Sequence, residues 1–351
     1  MSKVTYIPKL KTIPNDFLVS EVGLIDYTNV DSQQSTEYSH YKLLKSGFTT
    51  FEAINEISTF FSIVNFKVGF GGLKDEDGIT EQNISIEAHI PHNYIENFNK
   101  IHMYGDDKFL KLTFIGYINV PIKIGEILGN NFKITVRGLD YDFAKYIFEE
   151  KKHAYTFINY YGTQRFGLPN APKNTHELGH HLINNDYNKA LSIIATQQNS
   201  VGNYAREAIN NNKDSKLSLQ ELDPRKIAFY QSSYYSFKWN DEIKNHLKKS
   251  GVKCSAYTEE QILFLLPEEE AFEKSIPKFM PYTRVIYDGQ KNQYQDLMRQ
   301  SLVQLNLICS NLTEDEYHPG KYACTVNFFL PTGSYATVAL TQVFNLLKSK
   351  I

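Results

Sequence analysis

The chain has 351 residues, of which 42% are hydrophobic and 22% charged, with a formal net charge of −2. That length exceeds an ordinary single core and predicts two domains, or one domain carrying a large insertion, while 24 Tyr and 23 Phe exclude a disordered chain. The near-neutral total does not announce a nucleic-acid partner, although a neutral sum can conceal a local basic groove, and it is the distribution of Lys and Arg that neutralises phosphates.

The opening MSKVTYIPKLK has no signal-peptide core, and apolar runs such as Ile262 to Leu266 are too short to span a bilayer, so a cytoplasmic protein without membrane partners is expected. From Thr49 to Val64 the spacing predicts a helix: Thr49 and Glu52 form a capping box, and Phe51, Ile54, Ile57 and Phe61 recur on one face. A strand follows through Phe66, Val68 and Phe70, then a loop from Gly71 to Gln82. A second alternating run passes through Ile84, Ile86, Ala88 and Ile90. Further strands are expected at Phe109 to Ile118 and Asn131 to Val136, with Phe132, Ile134 and Val136 on one face. From Tyr161 to Leu305 the pattern reads as mostly helical, with a polar loop at Asn210 to Ser218 and an acidic run at Pro267 to Glu273. Ser334 is expected to cap a final helix carrying Ala336, Val338, Val343 and Leu347 on an apolar stripe and ending in Lys348 and Lys350. Cys254, Cys309 and Cys324 are widely spaced, with no CxxC pair, and read as small buried residues instead of a disulfide or metal set.

Some patterns could carry chemistry. HELGH, His176 to His180, would place imidazoles one helical turn apart beside Glu177, as in zinc peptidases. The longer metzincin pattern fails, because Ile183 stands where Gly is needed and Asp186 where a third His is needed. The favoured reading is an amphipathic helix with surface histidines. GFGGLKD lacks P-loop spacing and its Gly-Lys-Ser/Thr ending; its glycines read as a tight turn with positive backbone dihedrals.

A series of separated blocks resembles, in order, the TruD family of tRNA pseudouridine synthases. These are Lys11 with PNDF (Pro14 to Phe17), GLKDxxxxTxQ (Gly72 to Gln82), LGNNF with Arg137 (Leu128 to Phe132), NYYGTQRFG (Asn159 to Gly167) and FFLPTGSYAT (Phe328 to Thr337). AFYQSSYYSF, Ala228 to Phe237, matches more weakly, and the family's helix with a Leu-Gly step accounts for Leu178-Gly179.

The resemblance implies an α+β fold: a pseudouridine synthase catalytic domain around a mixed, largely antiparallel sheet, interrupted by an inserted TRUD-type α/β domain. The expected boundaries are 1–155 and 306–351 for the catalytic parts and 156–305 for the insertion. It implies isomerisation of a uridine in tRNA, by family analogy at position 13, without metal or organic cofactor, by a protein expected to be monomeric. Asp75 would be the nucleophile and Lys11 the cation that keeps it ionised. Phe132 would stack on the flipped base, Phe17 and Tyr335 line the pocket, and Asn130 hydrogen-bond near the nucleophile, while Lys74, Gln164 and Arg165 would serve RNA binding or structure. Glu76 and Asp77 depart from the basic residues of many relatives, and Lys123 is what remains of a usually basic stretch. Rival readings are a non-catalytic RNA-binding module of the same fold and a zinc peptidase built on HELGH.

Overall fold

The computed structural model describes residues 6–23, 38–150, 154–167, 171–268 and 270–351. In chain order the strands and helices are β1 (Phe17–Gly23), β2 (Tyr38–Ser46), α1 (Thr50–Phe61), β3 (Val68–Phe70), β4 (Ile79–Ile86), α2 (His92–Ile101), β5 (Phe109–Ile118), β6 (Ile127–Leu139), α3 (Tyr141–Glu149) and β7 (Ala154–Ile158). There follow α4 (Thr175–Ile183), α5 (Tyr187–Ala195), α6 (Ser200–Asn210), α7 (Ser215–Gln220) and α8 (Pro224–Ser250). The chain closes with β8 (Cys254–Glu259), β9 (Ile262–Pro267), β10 (Phe279–Tyr287), β11 (Asn292–Gln300), β12 (Leu302–Asn306), β13 (Ile308–Glu314), β14 (Tyr322–Pro331) and α9 (Ala336–Lys348).

Two compact units result. One comprises Pro8–Tyr155 and Leu305–Ala336; the other comprises Thr156–Gln304 and Thr337–Lys350, together with Tyr6 and Ile7. Of the C-terminal residues, Leu305–Ala336 fall in the first of these and Thr337–Lys350 in the second.

The first unit is built on an eight-stranded sheet in the order β13-β14-β6-β1-β4-β2-β5, with β3 paired to β4. Only β1 and β4 run parallel among these pairings, so the sheet is mixed and largely antiparallel, as the resemblance implied. Helix α1 forms because Thr49 and Glu52 close a capping box, and it ends at Ser62 in the left-handed conformation. Its Ala53, Ile54 and Ile57 pack with Tyr41, Leu43, Val68, Phe70, Ile84 and Leu112 in one core cluster. Burial of that apolar surface is the main favourable term holding helix to sheet.

Between Thr175 and Gln300 the second unit passes from helices to hairpins. In it α4 packs closely on α8: a Cβ at Gly179 would lie 2.1 Å from the Tyr230 carbonyl oxygen. That contact leaves no room for a side chain at Gly179. The hairpins β8–β9 and β10–β11 correct the mostly helical expectation for Tyr161 to Leu305, since Ile262, Phe264 and Leu266 alternate into the core at strand period.

Other expectations also need correction. The loop after β3 stops at Gly78, because Ile79 already pairs with Leu18. Part of the polar stretch Asn210 to Ser218 is helical, with Asp214 capping α7 by accepting from the Leu217 amide. Phe66 lies in a 3₁₀ turn, Asn65–Lys67, before the strand. Ser334 does not cap α9: the helix starts two residues later, and the Ser334 hydroxyl is buried with no hydrogen-bond partner among the described residues. Cys309 and Cys324 are joined by a disulfide, because β13 and β14 form a hairpin that brings residues distant in sequence side by side. Cys254 is free.

Candidate active site

The loop Gly71 to Gly78, between β3 and β4, is held from several sides. The Lys74 amide donates to the Thr50 hydroxyl at 2.9 Å, and that hydroxyl donates to Gln82 Oε1 at 3.2 Å. The Gly47 amide donates to the Glu76 carbonyl at 3.1 Å. Gly71, Gly72 and Gly78 are not at positive φ, which corrects the tight-turn reading. What they permit is close approach: a Cβ on Gly71 would lie 2.4 Å from Ile127, and one on Gly78 would lie 2.5 Å from the Phe17 carbonyl oxygen.

Asp75 projects from this loop to meet Lys11, whose Nζ donates to Asp75 Oδ2 at 3.1 Å. Both side chains are partly buried. The same Nζ sits 4.4 Å from the centre of the Phe17 ring. Phe17 meets Phe132 edge-on at 6.0 Å, and Phe132 stacks on Phe328 at 5.2 Å. The register explains the row: Phe132 stands opposite Val19 on β1 and Phe328 on β14, so aromatics from neighbouring strands share one face.

Lys11 is placed by the PNDF block. Its own φ is +58°, and the 3₁₀ turn Pro14–Asp16 follows, closed by the Asp16 carboxylate accepting from the Ile13 amide at 3.1 Å. Asp16 in turn receives Arg137 Nε at 2.9 and 2.8 Å, while Arg137 NH1 reaches Asp315 Oδ1 at 3.1 Å. The hydrogen bond from Arg137 to Asp16 is the leading reason that its pKa is raised. Burial pushes the Asp315 carboxyl up, but donors from Gly138, Tyr317, Arg137 and His318 outweigh it and hold the pKa below its ordinary value. PNDF and Arg137 thus share one buried ionic joint beneath Lys11 and Phe17.

Other residues singled out in the sequence fall in different surroundings. Lys74 is buried in an ion pair with Glu21 at 2.6 Å, and Glu21 also accepts from the Asn83 amide and side chain. Lys74 is thus engaged by a carboxylate of β1. Asn130 stands opposite Glu21 in the β1–β6 register, and its Oδ1 is buried with no hydrogen-bond partner among the described residues. Tyr335 is half-buried just before α9. Gln164 and Arg165 lie in a 3₁₀ turn of the second unit, where Arg165 donates to Ser236 at 3.0 Å and sits 4.6 Å from the Phe229 ring centre. The rest of NYYGTQRFG is likewise fastened to α8: the Tyr161 amide donates to Asn240 Oδ1, and Trp239 Nε1 donates to the Asn159 carbonyl.

In HELGH, His176 stacks on Phe237 at 4.1 Å, and burial is the main reason its pKa is lowered. It is packed, not on the surface as the sequence suggested; His180 is exposed. Among the described residues no group of three or more His, Cys, Asp or Glu is disposed to hold a metal ion. Nor is any described helix long and apolar enough to cross a membrane.

A family model described as "tRNA pseudouridine synthase D (TruD)" matches residues 5–266. The chain belongs to the TruD family. Among its relatives are the probable tRNA pseudouridine synthase D 1 of Methanococcus maripaludis, 25% identical over 97% of this chain and all of that protein, and the tRNA pseudouridine synthase D of Aquifex aeolicus, 23% identical over 96% of this chain and 98% of that one. The crystal structure of the TruD protein from Methanosarcina mazei shares the fold, with a TM-score of 0.52 over 98% of this chain and 94% of that one, at 17% identity.

Sequence reasoning missed Lys45. It closes β2 with a fully buried side chain and donates to the carbonyls of Phe48 at 2.8 Å, Asp75 at 2.6 Å and Lys74 at 3.4 Å. Lysine at the end of an amphipathic strand gives no local signal of burial.

Proposed function

We propose that this TruD protein isomerises a uridine of tRNA to pseudouridine, with Asp75 as the nucleophile. Isomerisation breaks the bond between C1′ and N1 and makes one between C1′ and C5. The proton lost by C5 is balanced by one gained at N1, so no co-reactant is consumed. A carboxylate beside C1′ meets the cationic character that develops as the glycosidic bond breaks. Lys11 holds that carboxylate charged and in place. The uridine is flipped from its stack, and by family analogy the base would stack on Phe132, which is 8% exposed beside the buried Phe17. Asn130 brings an unengaged carbonyl oxygen that can accept from the uracil edge, and Tyr335 lines the pocket. By family analogy the target is uridine 13, and the enzyme works as a cytoplasmic monomer without a bound metal.

The observation that carries this reading is the 3.1 Å Lys11–Asp75 pair set against the Phe17–Phe132–Phe328 row. Asp75→Asn keeps the shape of the side chain and removes its charge. Single-turnover pseudouridine formation on unmodified tRNA should fall on the order of 10⁴-fold or more, with tRNA affinity retained. The neighbouring Asp77→Asn should keep its rate; if Asp77→Asn is inactive and Asp75→Asn turns over normally, the site is wrongly placed.

A further inference from the structure

Lys45 has an environment that simple packing does not explain. Burying an ammonium costs several kcal/mol, on the order of the cost for any ion, and an apolar side chain of similar volume would avoid it. Here the charge is retained and its donors go to main-chain carbonyls of Phe48, Lys74 and Asp75. The ammonium therefore joins the corner between β2 and α1 to the main chain of the proposed nucleophile. The Gly47 amide and the Thr50 hydroxyl bind the same loop from the same corner, so Lys45 supplies the charged member of a clamp around Asp75.

We infer that Lys45 is a positioning residue for catalysis, whose buried charge fixes the main chain of Asp75. The inference rests on the reading of Asp75 as the nucleophile. Burial is the largest influence on Lys45 and lowers its pKa to about 8; the nearby Asp75 charge raises it, Lys74 lowers it, and Glu76 and Glu52 raise it. Lys11 faces Asp75 from the other side. Raising the pH through that value converts the ammonium to an amine with one donor fewer. A carbonyl of the clamp is then released and the positive charge beside Asp75 disappears. Activity should fall on the alkaline side, around pH 8.

The test is single-turnover pseudouridine formation by the full chain from about pH 6 to about pH 9, with tRNA affinity measured in parallel. In the unaltered protein the rate should decline with a midpoint near pH 8. Glu76→Gln removes a negative charge that favours the ammonium, so the midpoint should move to lower pH. Lys45→Arg stays charged throughout and should lose the alkaline decline, whatever its absolute rate. Lys45→Met should lower the rate on the order of 10²-fold with affinity unchanged, as expected when a reacting group is misplaced. The inference fails if Asp75→Asn is inactive while the unaltered profile is flat to about pH 9. It fails equally if the decline is present but unmoved in both Glu76→Gln and Lys45→Arg, even where Lys45→Met is too unstable to assay. An active Asp75→Asn variant overturns the reading of the nucleophile and this inference with it.

Discussion

Arg137→Met should destabilise the strand-rich unit far more than an ordinary substitution, and the structure sets the scale. The guanidinium is buried between Asp16 and Asp315, whose side chains are 2% and 0% exposed, so solvent screening gives little relief. Methionine preserves much of the volume but leaves two buried carboxylates without their cation. Asp315 keeps the Gly138 amide at 2.8 Å and His318 at 2.9 Å, whereas Asp16 keeps the Ile13 amide at 3.1 Å. Breaking a buried pair by removing one partner costs about 3–5 kcal/mol. For a domain of this size each kcal/mol lowers the melting temperature by about 2–4 °C, so a fall of roughly 6–20 °C is expected in calorimetry. The double variant Arg137→Met with Asp16→Asn should be less destabilised than the sum of the single changes, because the second substitution removes a charge that the first has stranded. A fall under about 2 °C for Arg137→Met, or strict additivity in the double variant, would refute the account of this joint.

Gly78→Ala should impair pseudouridine formation, since its Cβ would meet the Phe17 carbonyl at 2.5 Å and the ring at 3.0 Å; Gly116→Ala on β5, where a Cβ meets nothing within 4 Å, should be silent in the same assay. In the HELGH segment the glycine should matter and the exposed histidine should not. Gly179→Ala forces α4 away from the Tyr230 carbonyl and should lower the melting temperature, while His180→Ala and dialysis against a strong chelator should both leave tRNA isomerisation unchanged; activity lost to the chelator and restored by zinc would reverse that ranking.

What the sequence showed and what it withheld follow the distance over which each feature is determined. Thr49 with Glu52, and the strand Phe109–Ile118, were legible because capping and alternation are local. Strand β4 starts earlier than its apolar pattern suggests, since Thr80 and Gln82 are buried polar residues whose place is set by partners in other strands and in α1. A mostly helical reading of Tyr161 to Leu305 follows the texture of a long stretch and passes over the short alternating runs that form the hairpins within Cys254–Gln300. The disulfide was hidden for the same reason, as pairing between β13 and β14 cannot be inferred from three scattered cysteines.

The proposed site shows the same limit more sharply. Resemblance to a family singled out Asp75 and Lys11, but it could not distinguish the lysines around them. Lys11 faces the Asp75 carboxylate, Lys45 the Asp75 main chain, and Lys74 the Glu21 carboxylate. Identical side-chain chemistry serves the proposed reaction, the loop and the core, and the difference lies in which strand brings which partner. Phe17, for example, is brought to Lys11 by the Asp16–Arg137 joint, which couples residue 16 to residues 137 and 315 across the sheet. A short motif names the carboxylate proposed to react. Lys11 meets that carboxylate and residues 45, 47 and 50 hold the main chain of its loop, so substitutions there should change the rate while leaving the motif itself intact.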